Sequence, residues 1–541
     1  MSYLVKITPL GGLGQIGSNM VHFEYGSESL LIDCGILFPY EDLFDLNYLI
    51  PDLDAIDINP SKLIITHGHE DHIGAIIHVL QKFPQIEVFA PPFARELVLK
   101  KLGFNEVAHT IHEYGDSSQI DFKNFTIYPI RVNHSIPDSY GILVSDKKDF
   151  CCFYASDFKI DLTTDYEPPF DFKRLKDLTN NKKFRLLMAD STNITSKTLE
   201  TPSEKDVFSE LNSIIKSVEG RVFVTSFASN VHRLKSILIS AKESGRKVIP
   251  YGRALKNYLG IAEKLGLLEG LEKTLVSEKS YTSKQGRYVI LLSGCQGEFR
   301  GTLRRVAMGE DSIFKPGPKD TFVFSSKAIP GHEKKISILV NSLYSFGAKV
   351  ITADDKLVHV SGHPGKNDLL KLYNEFSPTD IMPIHGETSF LHRHVEFINE
   401  SFPQAKAHLF TNFDQAIISK KREVDIKRFE SPPPILIHGK HLEIERSAIS
   451  QRRKIAANGV VFISINIDSI SRFKPSFSVS LLGLPDMAQD IIEDLEPMIL
   501  DFIKQRKLKT LEEKGEEIRI SARRILSQHL GYKPVTVVQF V

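Results

Sequence analysis

Residues 66 to 74 read Thr-His-Gly-His-Glu-Asp-His-Ile-Gly, so the stretch 67–72 holds three histidines and two carboxylates. Buried without partners such a cluster is costly, and protonated it would repel itself. A positive centre among these side chains resolves both problems. His67 and His69 flank Gly68 on an extended loop, where alternation puts both imidazoles on one side. Asp71 and His72 are adjacent at the start of a helix and point elsewhere. The stretch therefore offers ligands to two centres, and imidazole nitrogen with carboxylate oxygen suits zinc, or less exclusively manganese. A solvated loop with incidental histidines does not account for the HxHxDH spacing.

More ligands belong at other strand ends. His134 terminates FTIYPIRVNH, Asp157 sits in CCFYASDFK and His385 terminates IMPIHGE. Taken singly each would be an ordinary structural residue; together, at the ends of apolar strands in a chain that holds HxHxDH, they extend the cluster. A carboxylate such as Asp157 can bridge two cations, which suits a binuclear site with metals about 3.5 to 4 Å apart. Residues 12–17, GLGQIG, match GxGxxG with Asp33 downstream, but two alternating strands follow where a dinucleotide fingerprint needs a helix. This glycine run reads as a strand-to-strand turn.

The chain that must position these groups has 541 residues, 42% hydrophobic and 25% charged. It is long enough for about three or four domains. Lys plus Arg (68) nearly balance Asp plus Glu (67), so any basic groove is local. No apolar run reaches the roughly 18 residues of a membrane span, and the start, MSYLVKITPLGG, lacks a signal-peptide core. The four cysteines, 34, 151, 152 and 295, form no CxxC; Cys151 and Cys152 read as core residues, and a reducing, cytoplasmic setting follows. Short alternating strands such as VKITPL, NMVHFEY and LLIDCG fill residues 1–203. Strand–helix–strand units from 204 to 355 indicate a doubly wound parallel sheet. VHVSGH and IMPIHGE then return to the first texture, so the middle block looks inserted. SKKREVDIKRFESPPP (419–434) reads as linker sequence, and a small α/β unit with strand 459–467 and final strand VTVVQFV ends the chain.

HxHxDH followed by strand-end His, Asp and His resembles the metallo-β-lactamase superfamily, and the insertion before His385 resembles its β-CASP branch. PLGGLGQIGSNM, LIDCGILFP, THGHEDHIGA, ADSTN, FASNVHR, IPGHE, HVSGH and PIHGE, in that order, resemble the ribonuclease J family. The resemblance implies a metallo-β-lactamase αββα sandwich (1–203 and 356–430), an inserted parallel-sheet β-CASP domain (204–355), a linker (431–446) and a small C-terminal α/β domain (447–541). It implies two divalent ions, zinc first, with manganese or magnesium as alternatives. One would be held by His67, His69, His134 and Asp157, the other by Asp71, His72, Asp157 and His385. Asp190 in ADST and His363 in HVSGH would be further motifs, Asp71, Asp190 and His363 the catalytic set, and Asp33 a support for the ligand histidines.

The loops FASN (227–230), GCQGE (294–298) and IPGHE (329–333) follow apolar strands, which clusters them at the carboxyl edge of the parallel sheet, where open α/β sheets bind ligands. Ser229, Asn230, His232, Arg233, His359, Ser361 and His363 are the candidate RNA contacts. Cys295 and Phe299 stand where the family usually has serine and proline, GQIGS where it tends to have Glu and Lys, and FSVSLLGLP replaces a family segment ending in Arg-Gly-Phe. The expected activity is metal-dependent RNA hydrolysis in RNA processing and decay, including ribosomal RNA processing. It would be 5′-to-3′ exonucleolytic on 5′-monophosphorylated single strands, with endonuclease action. Homodimers or homotetramers through the C-terminal domain and a degradation complex are the expected assemblies, with no membrane partner. Two alternatives are a catalytically weak RNA-binding scaffold subunit and a nuclease acting on DNA; His385 counts against the latter, since DNA-repair relatives tend to carry valine there.

Overall fold

The computed structural model describes residues 3–39, 46–282, 287–329, 331–466, 476–485, 488–504 and 510–541. Two compact units emerge, one of residues 1–40 and 49–434, the other of 41–48 and 435–541.

Two sheets face each other in the first unit. One runs, in spatial order, 424–427, 415–419, 3–11, 20–25, 28–32, 62–64, 87–90 and 111–113; the other runs 406–407, 380–384, 184–190, 150–154, 140–146, 125–131 and 120–121. Alternation assigns their inner faces: Val5, Ile7, Val21, Phe23, Leu30 and Ile32 of the first meet Phe125, Ile127, Ile142, Val144, Leu186 and Met188 of the second in one core. The second sheet's outer face, with Leu143, Phe153 and Leu187, packs beneath Leu175, Leu369, Tyr373 and Ile398 of helices 172–179, 366–376 and 388–401. Cys152 belongs to the inner core and Cys151 to the outer one, the period-two split of a strand buried on both sides. The glycine run is more than the expected turn: Leu13–Gly14 pairs parallel with Gly386–Glu387, next to His385, and strands 20–25 and 28–32 pair antiparallel beyond it.

Between Asp190 and Asp380 the chain builds a separate parallel sheet in the order 247–251, 288–292, 222–225, 321–324, 349–351. Tyr288–Leu292, YVILL, is buried throughout, as a parallel strand covered on both faces requires. Helices 204–217, 231–243, 253–264, 302–307 and 333–345 accompany it.

The expected linker needs correcting. Val424–Lys427 is an edge strand on Gln415–Ser419, and Ile435–His438 pairs with Leu442–Glu443 as a hairpin. Residues 46–48, read as part of the first domain, group with that hairpin instead: Gly439 N donates to Asn47 Oδ1 at 2.8 Å, and Tyr48 Oη lies 2.7 Å from His441 Nδ1. In the second unit, Val460–Ile465 pairs antiparallel with Phe477–Leu482 and parallel with Val535–Phe540. Val461, Ile463 and Ile465 pack on Ile491, Leu495, Ile518 and Leu526. The Phe477–Leu482 strand and the 511–530 helix were not legible in the sequence. Among the described residues no helix is long and apolar enough to cross a membrane.

Candidate active site

Both sheets of the first unit deliver their chemistry at one edge. The Lys62–Ile64 strand runs into Thr66–His69, Phe125–Arg131 leads to His134, Phe150–Tyr154 to Asp157, and Phe184–Asp190 ends on Asp190 itself. Asp190 pairs in register with Ile384, which sets His385 beside it. Three of the turns use a left-handed backbone at a non-glycine residue: Asp33 (φ +61°), Ser156 (φ +55°) and His385 (φ +49°). Each costs on the order of 1 kcal/mol or more, and such strain concentrates at functional sites.

The seven expected ligands come together in two groups sharing Asp157: His67, His69, His134, Asp157 and Asp71, His72, Asp157, His385, with the candidate ligand atoms of each group within 4.8 Å of one another. In the first, His69 Nδ1 lies 3.1 Å from both His67 Nε2 and His134 Nε2, and Asp157 Oδ2 lies 3.9 and 3.8 Å from those two nitrogens. In the second, His72 Nε2 stands 3.3 Å from Asp157 Oδ2 and 3.6 Å from Asp71 Oδ2, and His385 Nε2 is 3.4 Å from Asp71 Oδ2. Ligand bonds of about 2.0 to 2.1 Å at tetrahedral angles give ligand–ligand edges of about 3.3 Å, so this spacing suits a divalent cation. Asp157 Oδ1 and His385 Nε2 are buried with no hydrogen-bond partner, the condition a cation relieves.

The opposite nitrogens are committed elsewhere, which fixes ring orientation. His134 Nδ1 donates to the Gly362 carbonyl at 2.7 Å, His67 Nδ1 meets Thr66 Oγ1 at 3.0 Å, and His72 Nδ1 meets Asp33 Oδ2 at 2.7 Å. Asp33 also accepts from Thr66 N at 2.8 Å and from its hydroxyl, so it ties His72 to the loop that carries His67. Replacing Asp33 by alanine should weaken cation binding about 10- to 100-fold, read by titrating the protein against a metal chelator of known affinity.

Charge divides the two groups. Burial and the neighbouring rings hold His67 and His134 well below their usual range and His69 down at about 4, so these three offer bare nitrogen lone pairs at neutral pH. Burial works against a charge on His72 and His385, but carboxylates override it. Asp157, Asp33 and Asp71 raise His72 to about 10, and Asp157 with Asp190 and Asp71 raises His385. Cations entering the second group displace protons, so acid competes with them there.

Beside both groups His363 Nδ1 and Asp190 Oδ2 are 2.7 Å apart, and the His363 ring stacks on His385 with centroids 5.4 Å apart. Asn193 Nδ2 fastens this segment by donating to Ser361 Oγ and to the His363 carbonyl, both at 2.9 Å. Two contributors escaped sequence reasoning. Asn19 Nδ2 sits 3.0 Å from His72 Nε2 and 3.3 Å from Asp71 Oδ2, and Thr192 Oγ1 sits 3.0 Å from His385 Nδ1. The signal for each was its place at a motif, Asn19 directly after GQIGS and Thr192 as the last residue of ADST.

Three family descriptions match: the metallo-beta-lactamase superfamily over 13–130, the beta-CASP domain of ribonuclease J over 219–343, and the Zn-dependent metallo-hydrolase RNA specificity domain over 349–408. Ribonuclease J of Sinorhizobium meliloti is 31% identical over 559 aligned residues, covering 98% of this chain and 96% of the relative. The chain belongs to the ribonuclease J family. Ribonuclease J of Thermus thermophilus is similar to the same extent, 30% over 550 residues, covering 98% of this chain and 94% of its own. A crystal structure of a protein of unknown function from Enterococcus faecalis V583 shares the fold, with TM-score 0.55 and 14% identity over 76% of this chain and 99% of that one. Membership places the chain among the metallo-hydrolase nucleases.

Within this ribonuclease J framework some expected RNA contacts require correction. Arg233 is fully buried and its guanidinium is spent inside the protein. Nε and Nη2 donate to the two Glu204 oxygens at 2.9 and 3.0 Å, and Nη1 donates to Ser325 Oγ at 2.7 Å and to the Val358 carbonyl at 2.9 Å. It organises the loops and cannot reach a phosphate. His232, also buried, stacks on Tyr166 with centroids 5.7 Å apart and lies 3.5 Å from Glu167. Asn230 caps helix 231–243 by accepting from Arg233 N at 3.0 Å. Ser229 and Ser361 stay partly exposed. His359 keeps a buried Nδ1 without a partner, and burial with Arg233 lowers it to about 3, so its ring is neutral.

The Arg233–Glu204 pair carries a pH signature. Burial would raise Glu204, but Arg233 and Lys159 hold it at about 2 against 4.5 when unfolded. The stabilisation is present above pH 4.5 and is lost as pH falls toward 2, on the order of 3 kcal/mol in all. Glu204→Gln should lower stability at pH 7 by about 3 to 5 kcal/mol through the stranded arginine and flatten the stability slope between pH 4.5 and 2, both measured by chemical denaturation.

Proposed function

We propose that the chain is a metal-dependent ribonuclease that hydrolyses phosphodiesters of single-stranded RNA, acting 5′ to 3′ from a 5′-monophosphate and also internally. The observation that carries this reading is the pair of ligand groups joined at Asp157 with the Asp190–His363 pair beside them. His67, His69, His134 and Asp157 would hold one divalent ion and Asp71, His72, Asp157 and His385 the other. Zinc suits the donor set best, and manganese or magnesium are the alternatives. Bound there, such ions activate water near neutral pH and neutralise charge on phosphate oxygens.

The chain's own groups do the rest. Asp190 holds the His363 ring and favours its protonated form, which supports His363 as the acid that would give the departing 3′ oxygen its proton. Ser229, His359 and Ser361 remain candidates to seat the 5′ end. RNA processing and decay are the proposed setting, with self-assembly through the C-terminal unit and participation in a degradation complex.

The test follows single-stranded RNA labelled on a 5′-monophosphate, with and without EDTA. Label released as 5′-mononucleotide, only without chelator, is the expected result. Cyclic phosphate products would overturn the mechanism, because they require attack by a 2′-hydroxyl instead of water. Label left unchanged would overturn the catalytic reading and favour an RNA-binding scaffold.

A further inference from the structure

Strand Tyr288–Leu292 lies next to strand Val222–Thr225, whose following loop carries Ser229 and Asn230. The loop after Tyr288–Leu292, residues 293–301, is tied at both ends. Leu303 N donates to the Ser293 carbonyl at 2.9 Å and Gly301 N to the Glu298 carbonyl at 2.8 Å. At its neck Gly294 (φ +90°) and Gly301 touch so closely that a Cβ on Gly294 would come within 2.7 Å of the Gly301 Cα. Gln296, almost fully buried, staples the loop to its neighbour: Nε2 donates to the Lys327 carbonyl at 2.9 Å and Oε1 accepts from Ile329 N at 2.8 Å. Cys295 points inward, 2% exposed, so it offers nothing to a substrate.

From this braced loop Phe299 projects with 73% of its surface exposed. Single exposed apolar residues are common, but this one differs in two ways. The loop that carries it is pinned, so the ring is held out instead of folding back. One face is also already engaged: the Arg304 guanidinium lies 4.9 Å from the ring centroid, itself steadied by Glu310 at 2.9 Å. A cation over one face and solvent over the other is the arrangement that accepts a second flat π-system.

We propose that Phe299, backed by Arg304, is a stacking platform for a nucleobase of single-stranded RNA at the carboxyl edge of the inserted sheet. The proposal rests on the RNA reading above. Stacking of this kind tolerates any base, because every base has a π-face, and it contributes to binding instead of to the chemical step.

The test compares KM and kcat of the metal-loaded wild type, Phe299→Ala and Phe299→Tyr on one single-stranded RNA and on the same strand with abasic positions. Phe299→Ala should raise KM about ten-fold with kcat little changed, Phe299→Tyr should restore the wild-type KM, and the abasic strand should erase the difference between wild type and Phe299→Ala. Equal KM values for wild type and Phe299→Ala on the ordinary strand would overturn the platform, as would a Phe299→Tyr defect as large as that of alanine or a difference that persists on the abasic strand. A wild type that cleaves no RNA would overturn the RNA reading instead, a result separable from the others.

Discussion

Asp157→Asn should abolish RNA hydrolysis, by about 10⁴-fold or more, while leaving the fold intact. Both ligand groups depend on this one side chain. Its Oδ2 is the oxygen near His72, His67 and His134, and its Oδ1 lies 3.2 Å from His385 Nδ1. A carboxamide keeps the shape, but it has one acceptor oxygen, an N–H₂ that donates, and no charge to bridge two cations. Metal analysis should therefore show both sites weakened, whereas losing His69, which belongs to the first group alone, should spare the second. Thermal unfolding in chelator separates failure of the site from failure of the fold. Removing a carboxylate that His385 and His72 hold in its charged form should lower the midpoint, because both rings lose a partner, while unfolding stays cooperative. An Asp157→Asn protein that kept both metals and hydrolysed RNA normally would remove the bridge from the account.

His363→Gln is the second large effect, with a different signature. His363 belongs to neither of the two proposed ion-holding groups, although it forms a third cluster with Asp157, Asp190 and His385. Because it acts as an acid and not as a ligand, its loss should leave metal content at the wild-type level while kcat falls about 10²- to 10⁴-fold and KM changes little. Burial disfavours a proton on this ring, but Asp190, 2.7 Å away, favours it and moves His363 above its ordinary 6.5. An acid must be protonated to act, so the wild-type rate should decline on the alkaline side of that raised value, and the variant should lose this limb. A substrate whose leaving group needs no proton should narrow the gap between the two proteins. An unchanged alkaline limb in His363→Gln would move the acid role to another group.

The ligand set was readable because metal binding imposes residue types and spacing together. HxHxDH, and single histidines or aspartates where apolar strands stop, carry their meaning without tertiary information. Arg233 and His232 were misread for the converse reason. A cation in a loop at a sheet edge looks the same in sequence whether it faces solvent or a buried Glu204, and only packing distinguishes the two. Val424–Lys427 hid in a charged, proline-flanked stretch because an edge strand alternates half-exposed and exposed positions and needs no apolar run. Asn19 and Thr192 act through amide and hydroxyl groups that are ordinary in turns, so only their place at the motifs GQIGS and ADST set them apart.

The strand order gives the site a history during synthesis. His67, His69, His134 and Asp157 all precede the inserted sheet, whereas His385 follows it, 228 positions after Asp157, and Gln415–Ser419 pairs with the first strand of the chain. The three histidines and Asp157 of one half are thus made early, but the Gly362 carbonyl that orients His134 follows the insertion. The other half stays incomplete until the insertion has been made and His385 has emerged from the exit tunnel. Under the proposed function, the order of residues leaves the hydrolytic site unfinished until more than two thirds of the chain has been made.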